Sequence, residues 1–116
     1  MRTLTKPHAF ARFALTALIV AALSALAIGS VFADEAKVAI DNFAFVPETI
    51  TIKPGTTVTF ENRDDIPHLV VDAASKFRSK ALDTGDTFSV KFDSPGEFPY
   101  FCGLHPHMKG KVIVAP

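Results

Sequence analysis

Four side chains in this sequence form a set with a narrow chemical meaning. Cys102 is the single cysteine of the chain; His105 follows three residues later and Met108 three after that. His68 stands far upstream, in the segment from Ile66 to Val70. Soft sulfur donors select copper, zinc or iron–sulfur chemistry. Two imidazoles, one thiolate and a weak axial thioether make the donor set of copper sites that move single electrons. The three-residue steps let one tight loop turn Cys102, His105 and Met108 toward a common point. His68 must then arrive from a different strand end.

Each residue alone has a plainer reading. Cys102 reads as a small buried hydrophobe, His68 as a structural histidine and Met108 as core filler. Together, between recognisable strands, they read as ligands. A Cys–His nucleophile is the catalytic alternative, but the sequence offers no orienting partner and no glycine-rich oxyanion loop. Zinc would accept His68, Cys102 and His105, with methionine an odd fourth ligand. Pro67 precedes one candidate ligand and Pro106 follows another, so the backbones of Ile66 and His105 are restricted. Pro106 also makes it hard for His105 and His107 to face one metal. His107 reads as a side chain at the rim, or as a group for partner docking, proton coupling or secondary metal binding.

The elements that position these residues read as strands. Lys37 to Asp41 alternates, and Asn42 to Val46 continues it, with Phe43 and Phe45 expected on one face until Pro47 breaks the run. Glu48 to Lys53 is a second strand with Ile50 and Ile52 inward. Pro54 and Gly55 signal a turn. Thr56 to Glu61 is a third strand, burying Val58 and Phe60. The polar loop Asn62 to Pro67 delivers His68, and Leu69 to Val71 returns to strand. Asp72 to Asp83 carries little pattern and reads as a short helix around residues 73–77 or an irregular crossover. Thr87 to Phe92 alternates cleanly, with Phe88, Val90 and Phe92 inward. Glu97 to Cys102 runs into the ligand loop, and Lys109 to Ala115 is the last strand. About seven to eight short strands, with turn signals about every ten residues, predict an all-β, antiparallel Greek-key β-sandwich.

The chain has 116 residues. Residues 1–12 carry Arg2, Lys6 and Arg12 with no acid, and Phe13 to Ile28 is apolar except for Thr16 and Ser24. Val31, Phe32 and Ala33 complete the pattern of a secretory signal helix cleaved after Ala33. The alternative is a retained anchor, but the apolar run falls short of the roughly 20 residues a spanning helix needs. The expected division is therefore 1–33 signal peptide and 34–116 one domain, periplasmic and free of stable membrane association. No Arg–Arg pair precedes the apolar run, so export is expected in the unfolded form, with metal acquired outside the cytoplasm. Nine Lys and Arg remain against twelve acids after Ala33. That balance, without a basic stripe, suggests no nucleic-acid partner. One cysteine excludes an intrachain disulfide, and a metal is the staple a small exported domain would use.

With these residues in view, the sequence resembles the cupredoxins (blue copper proteins), and in particular their amicyanin group. The resemblance is carried by Cys102, His105 and Met108 at that short spacing, by Tyr100, Pro106 and Gly110 to Val112, and by Phe43 to Pro47, Lys53 to Gly55, Thr57 to Asn62 and Pro67–His68. It covers nearly all of 34–116 and implies a cupredoxin-like sandwich. It also implies one type 1 copper ion held by His68, Cys102, His105 and Met108. The implied role is a monomeric one-electron carrier, not an enzyme. Its implied partners are a dehydrogenase donor and a c-type cytochrome or oxidase acceptor, docking near His105, Leu104 and Pro106. Copper delivery or storage is the alternative function; the single methionine after Ala33 and the lack of a Met- and His-rich tail argue against it. The sequence departs from the family pattern twice. Leu69 stands where an asparagine ties the two ligand loops together, and Gly103–Leu104 stands for Thr–Pro.

Overall fold

The computed structural model describes residues 34–116, so the expected signal helix and its cleavage point lie outside the described residues. Eight strands follow one another: β1 (Glu35–Asp41), β2 (Ala44–Val46), β3 (Thr49–Ile52), β4 (Thr56–Asn62), β5 (Val71–Asp72), β6 (Thr87–Phe92), β7 (Gly96–Phe101) and β8 (Lys109–Val114). They form two four-stranded sheets, ordered β2-β1-β4-β6 and β3-β8-β7-β5. The sheets share one core. Val38, Ile40, Val58, Phe60 and Phe92 come from the first; Ile52, Tyr100, Val112 and Val114 come from the second. Burying each such side chain stabilises the fold by roughly 1.5–3 kcal/mol. β4 shows why alternation predicts a strand: Thr56, Val58, Phe60 and Asn62 are buried, while the residues between them are half-exposed.

Four strand pairs are antiparallel, but β1 runs parallel to β4 and β3 parallel to β8. The cause is the crossing at Pro47 and Glu48. β2 pairs with β1 in the first sheet, whereas β3 lies beside β8 in the second. The turn at Pro54 and Gly55 then returns the chain to the first sheet as β4. Gly55 is required there: its φ is +90°, and its N–H donates to the Phe92 carbonyl at 2.6 Å. The segment between β5 and β6 contains no helix. It is an irregular crossover tied down by two isolated bridges, His68 with Leu82 and Val71 with Arg78.

One expected strand divides into two. Asp41 pairs with Ala44, so Asn42 and Phe43 are the two central residues of a hairpin turn. Their φ values are +51° and +58°. Two-residue hairpins of this hand favour Asn–Gly. Asparagine tolerates the left-handed region, but a bulky residue there is a true outlier, costing about 1–3 kcal/mol. Phe43 and Phe45 consequently do not share a face: Phe43 is 46 % exposed and Phe45 is 3 % exposed.

Three connections meet at one end of the sandwich. The β1–β2 turn and the β4–β5 loop adjoin because Ile40 pairs with Asn62, and the pairing of Val71 with Phe101 sets the β7–β8 loop beside the end of the β4–β5 loop. Arg63 N–H also donates to the Ile40 carbonyl at 2.8 Å. All four candidate ligands sit on the last two of these loops.

Below them, Tyr100 packs edge-on against Phe45 and Phe60. Gly110 lets it in, since a Cβ there would fall 2.4 Å from the phenol oxygen. That hydroxyl is buried and finds no partner among the described residues. Burial, reinforced by the charge of Glu48, pushes the phenol pKa well up. A raised folded-state pKa contributes stability that is complete below the ordinary value of 10.0 and is lost as pH rises above it. Tyr100→Phe removes an unpaired buried donor and should stabilise the metal-free protein by roughly 1 kcal/mol. Denaturant titrations should also show that the variant loses less stability than the parent above that pH.

Candidate metal centre

The loop that delivers His68 is organised from below by Asn62. Its side chain is fully buried, donates to the carbonyls of Ile66 at 2.9 Å and Leu82 at 2.8 Å, and accepts the Asp64 N–H at 2.9 Å. His68 is pinned further by a two-way backbone bridge: its N–H donates to the Leu82 carbonyl and its carbonyl accepts the Leu82 N–H. The other ligand-bearing loop closes on itself. Cys102 N–H donates to the Met108 carbonyl at 3.0 Å, and Met108 N–H donates to the His105 carbonyl at 2.9 Å. The three-residue spacing is thus the length of a loop whose two ends hydrogen-bond.

These loops bring three donors together. Cys102 Sγ lies 3.5 Å from His68 Nδ1 and 3.8 Å from His105 Nδ1. The three donor atoms all fall within 4.8 Å of one another. A first-row ion with metal–sulfur bonds near 2.3 Å and metal–nitrogen bonds near 2.0 Å, at tetrahedral to trigonal angles, needs nitrogen–sulfur separations of about 3.5–3.8 Å. The spacing fits such an ion. His68 and Cys102 are fully buried, and His105 is half-buried on the outer loop. Met108 is buried on the loop immediately before β8, within the core cluster that also contains Cys102. His107 is exposed and outside the donor group, its ring 6.4 Å from that of His105.

Asp64 is a functional residue that the sequence reading passed over. Its Oδ2 accepts from His68 Nε2 at 2.8 Å. With the Nε2 proton committed there, Nδ1 carries the lone pair that a metal requires. The same carboxylate accepts the N–H of Asn42 at 2.6 Å and of Phe43 at 2.9 Å. Partial burial pushes its pKa up. The bonds from Phe43, His68 and Asn42 outweigh that and hold the carboxyl below its usual range. The available signal was an acid four residues before a ligand histidine. Its tie to a turn more than twenty residues upstream is non-local.

Leu69 and Gly103, the two departures from the family pattern, meet each other. A Cβ on Gly103 would lie 3.2 Å from Val71 Cγ2 and 3.3 Å from Leu69 Cβ. Leu69 and Val71 are buried and pack on the bare backbone at that point. An apolar contact therefore joins the His68 loop to the Cys102 loop here.

The family model of the Cupredoxin-like domain matches residues 13–114. The chain is 38 % identical over 120 residues to amicyanin-alpha of Methylorubrum extorquens, covering 98 % of this chain and 99 % of that protein. It is 40 % identical over 83 residues to the chloroplastic plastocyanin of Chlamydomonas reinhardtii, covering 60 % of this chain and 57 % of that one. Among solved structures, a reduced amicyanin variant superposes with a TM-score of 0.67 at 29 % identity, over 73 % of this chain and 86 % of that one. A Cu-containing nitrite reductase from Thermus scotoductus gives the same TM-score at 29 % identity, over 71 % of this chain but 22 % of the enzyme.

The contact between the two loops is testable by coupling. Gly103→Ala should cost the metal-free protein about 1–3 kcal/mol by overpacking. Val71→Ala alone should cost about 1.5–3 kcal/mol by lost burial and the void it leaves. The double variant should cost clearly less than the sum, because truncating Val71 removes the Cγ2 that the new methyl would meet at 3.2 Å. Chemical denaturation of the four proteins measures the coupling; strict additivity would show that the residues do not press on each other.

Proposed function

Since this chain belongs to the cupredoxin-like family, we propose that it is a blue copper protein that carries single electrons between redox proteins. The observation that carries the reading is the trio His68 Nδ1, Cys102 Sγ and His105 Nδ1, gathered within 4.8 Å by two loops of a closed sandwich. The copper relatives make copper the ion of choice. Copper supplies a one-electron couple between Cu(II) and Cu(I). His68, Cys102 and His105 would hold the ion, with the buried Met108 thioether as a weak fourth ligand. Four protein ligands leave no open position for a substrate, which favours a carrier over a catalyst. The nitrite reductase similarity covers a minor part of that enzyme and assigns no reaction to this chain.

The protein's own residues set the terms of transfer. Cu(I) and Cu(II) prefer different geometries, so a frame that resists rearrangement lowers the cost of each cycle. The Asn62 hydrogen bonds, the His68–Leu82 bridge and the closed Cys102–Met108 loop supply that frame. Electrons would leave through His105. That ring is half-buried beside Leu104, which is 50 % exposed, and exposed Pro106. Donor and acceptor proteins dock on this apolar ground in the proposed role, and Lys109, exposed beside Pro106, adds a charge that steers an acidic partner.

The proposed setting is the periplasm, with residues 1–33 removed after Ala33. Among the described residues no helix is long and apolar enough to cross a membrane.

Three measurements check the reading. The protein given Cu(II) should turn intensely blue by thiolate-to-copper charge transfer, and Cys102→Ser should abolish the colour. Met108→Gln should keep copper and the blue class of site while lowering the reduction potential; loss of copper would remove Met108 from the ligand set. Leu104→Glu should slow electron exchange with a partner protein and leave the visible spectrum unchanged. Reversible cycling without copper loss supports the carrier, whereas rapid hand-off of copper to a chelator would favour delivery instead.

A further inference from the structure

We propose that Phe43 is a positioning residue of the metal centre, an aromatic cap that a strained turn holds against both imidazoles and that Asp64 pins in place. The inference rests on the copper reading above and deepens it. It starts from a conflict at the β1–β2 turn. The second central position, at φ +58°, favours glycine, yet a phenylalanine occupies it. Burial does not account for this choice, since the side chain remains 46 % exposed. The core position of the hairpin is filled by Phe45 instead.

What Phe43 touches does account for it. Its ring centroid lies 5.6 Å from that of His68 at an interplanar angle of 90°, and 5.4 Å from that of His105 at 84°. The two imidazoles are themselves 5.2 Å apart. The three rings close a cluster on the side where the imidazoles meet. Edge-to-face packing of this kind is attractive and directional, so it restrains rotation of both rings. It also covers that side of the donor atoms against water and small anions.

Asp64 makes cap and ligand one unit. Its two carboxylate oxygens accept the N–H groups of Asn42 and Phe43, and Oδ2 also accepts from His68 Nε2. The group that fixes the tautomer of His68 therefore also holds the backbone of the residue that lies over it. Strained conformations persist where surrounding contacts over-determine them, and they gather at functional sites. Here the over-determination is visible as three hydrogen bonds to one side chain.

The test compares Phe43→Gly, Phe43→Tyr and Asp64→Ala with the parent protein, each with and without copper. Phe43→Gly relaxes the turn, so the metal-free variant should melt at the same or a higher temperature. Its copper form should nevertheless release Cu(I) to a chelator about tenfold faster or more, and azide should perturb its blue band. Phe43→Tyr should behave as the parent does. Asp64→Ala should show the same copper defects, and adding Phe43→Gly to it should worsen them little. A Phe43→Gly protein with parental copper release and no azide response would overturn the inference. So would a lower melting temperature of its metal-free form with copper properties unchanged, which would make Phe43 a packing residue only. A parent protein that never turns blue would instead overturn the copper reading.

Discussion

A buried imidazole must have both of its nitrogens accounted for, and the metal end of this sandwich is arranged around that requirement at His68. The ring has no solvent exposure. One nitrogen faces Cys102 Sγ and the other faces Asp64. An unpaired polar group in such a place would cost about 1–3 kcal/mol. Satisfying it draws in a polar loop at the top of an otherwise apolar core. That loop must be satisfied in turn, which is the work of fully buried Asn62 and its three hydrogen bonds. The carboxylate that completes His68 reaches one step further, to the backbone of the β1–β2 turn. Ligand, loop and turn are parts of one network, and changing any member exposes the others.

The opposite wall of the site is built on different physics. Cys102, His105 and Met108 share a loop closed by its own backbone, and its contact with the His68 loop is apolar. Leu69 and Val71 press against Gly103, where a Cβ would already be tighter than ordinary van der Waals contact. A side-chain hydrogen bond between the loops would hold them by direction. Here they are held by packing, which is insensitive to rotation but sensitive to volume. Gly103 is therefore the residue that lets Leu69 and Val71 close on the backbone of the Cys102 loop.

Much of this was legible in the sequence, and the limits follow from what is local. Period-two alternation located β3, β4, β6 and β8 because each has one face on the core. The grouping of His68, Cys102 and His105 was legible as a candidate metal site because few combinations of cysteine, histidine and methionine suit so few metals. The signal failed where structure depends on distant partners. Alternation is the same in parallel and antiparallel strands, so the pairs β1 with β4 and β3 with β8 left no mark. Phe43 and Phe45 are two apart and both aromatic, and they read as one strand face. The turn between β1 and β2 is set by φ values that asparagine suggests and phenylalanine denies. Asp64 looked like loop polarity because two of the groups that it accepts from lie on one distant segment, the β1–β2 turn.

The two imidazoles show how one site can be both rigid and open. His68 is fixed by a carboxylate and by two backbone bonds with Leu82, in a place water does not reach. It can hold geometry but offers no way out. His105 is half-exposed, its ring bordered by other rings and by the apolar side chains of Leu104 and Pro106. For the proposed carrier this asymmetry is an advantage. A partner reaching His105 meets a surface that excludes water and contains few groups needing specific pairing, so a small complex forms and parts quickly. Placing the hydrogen-bonded ligand inside and the apolar one outside separates two demands that would conflict at a single residue. The strained turn of Phe43 lies across the boundary between them, touching both rings while belonging to neither ligand loop. That position explains why a residue so poorly suited to its backbone is nevertheless the one the site can use.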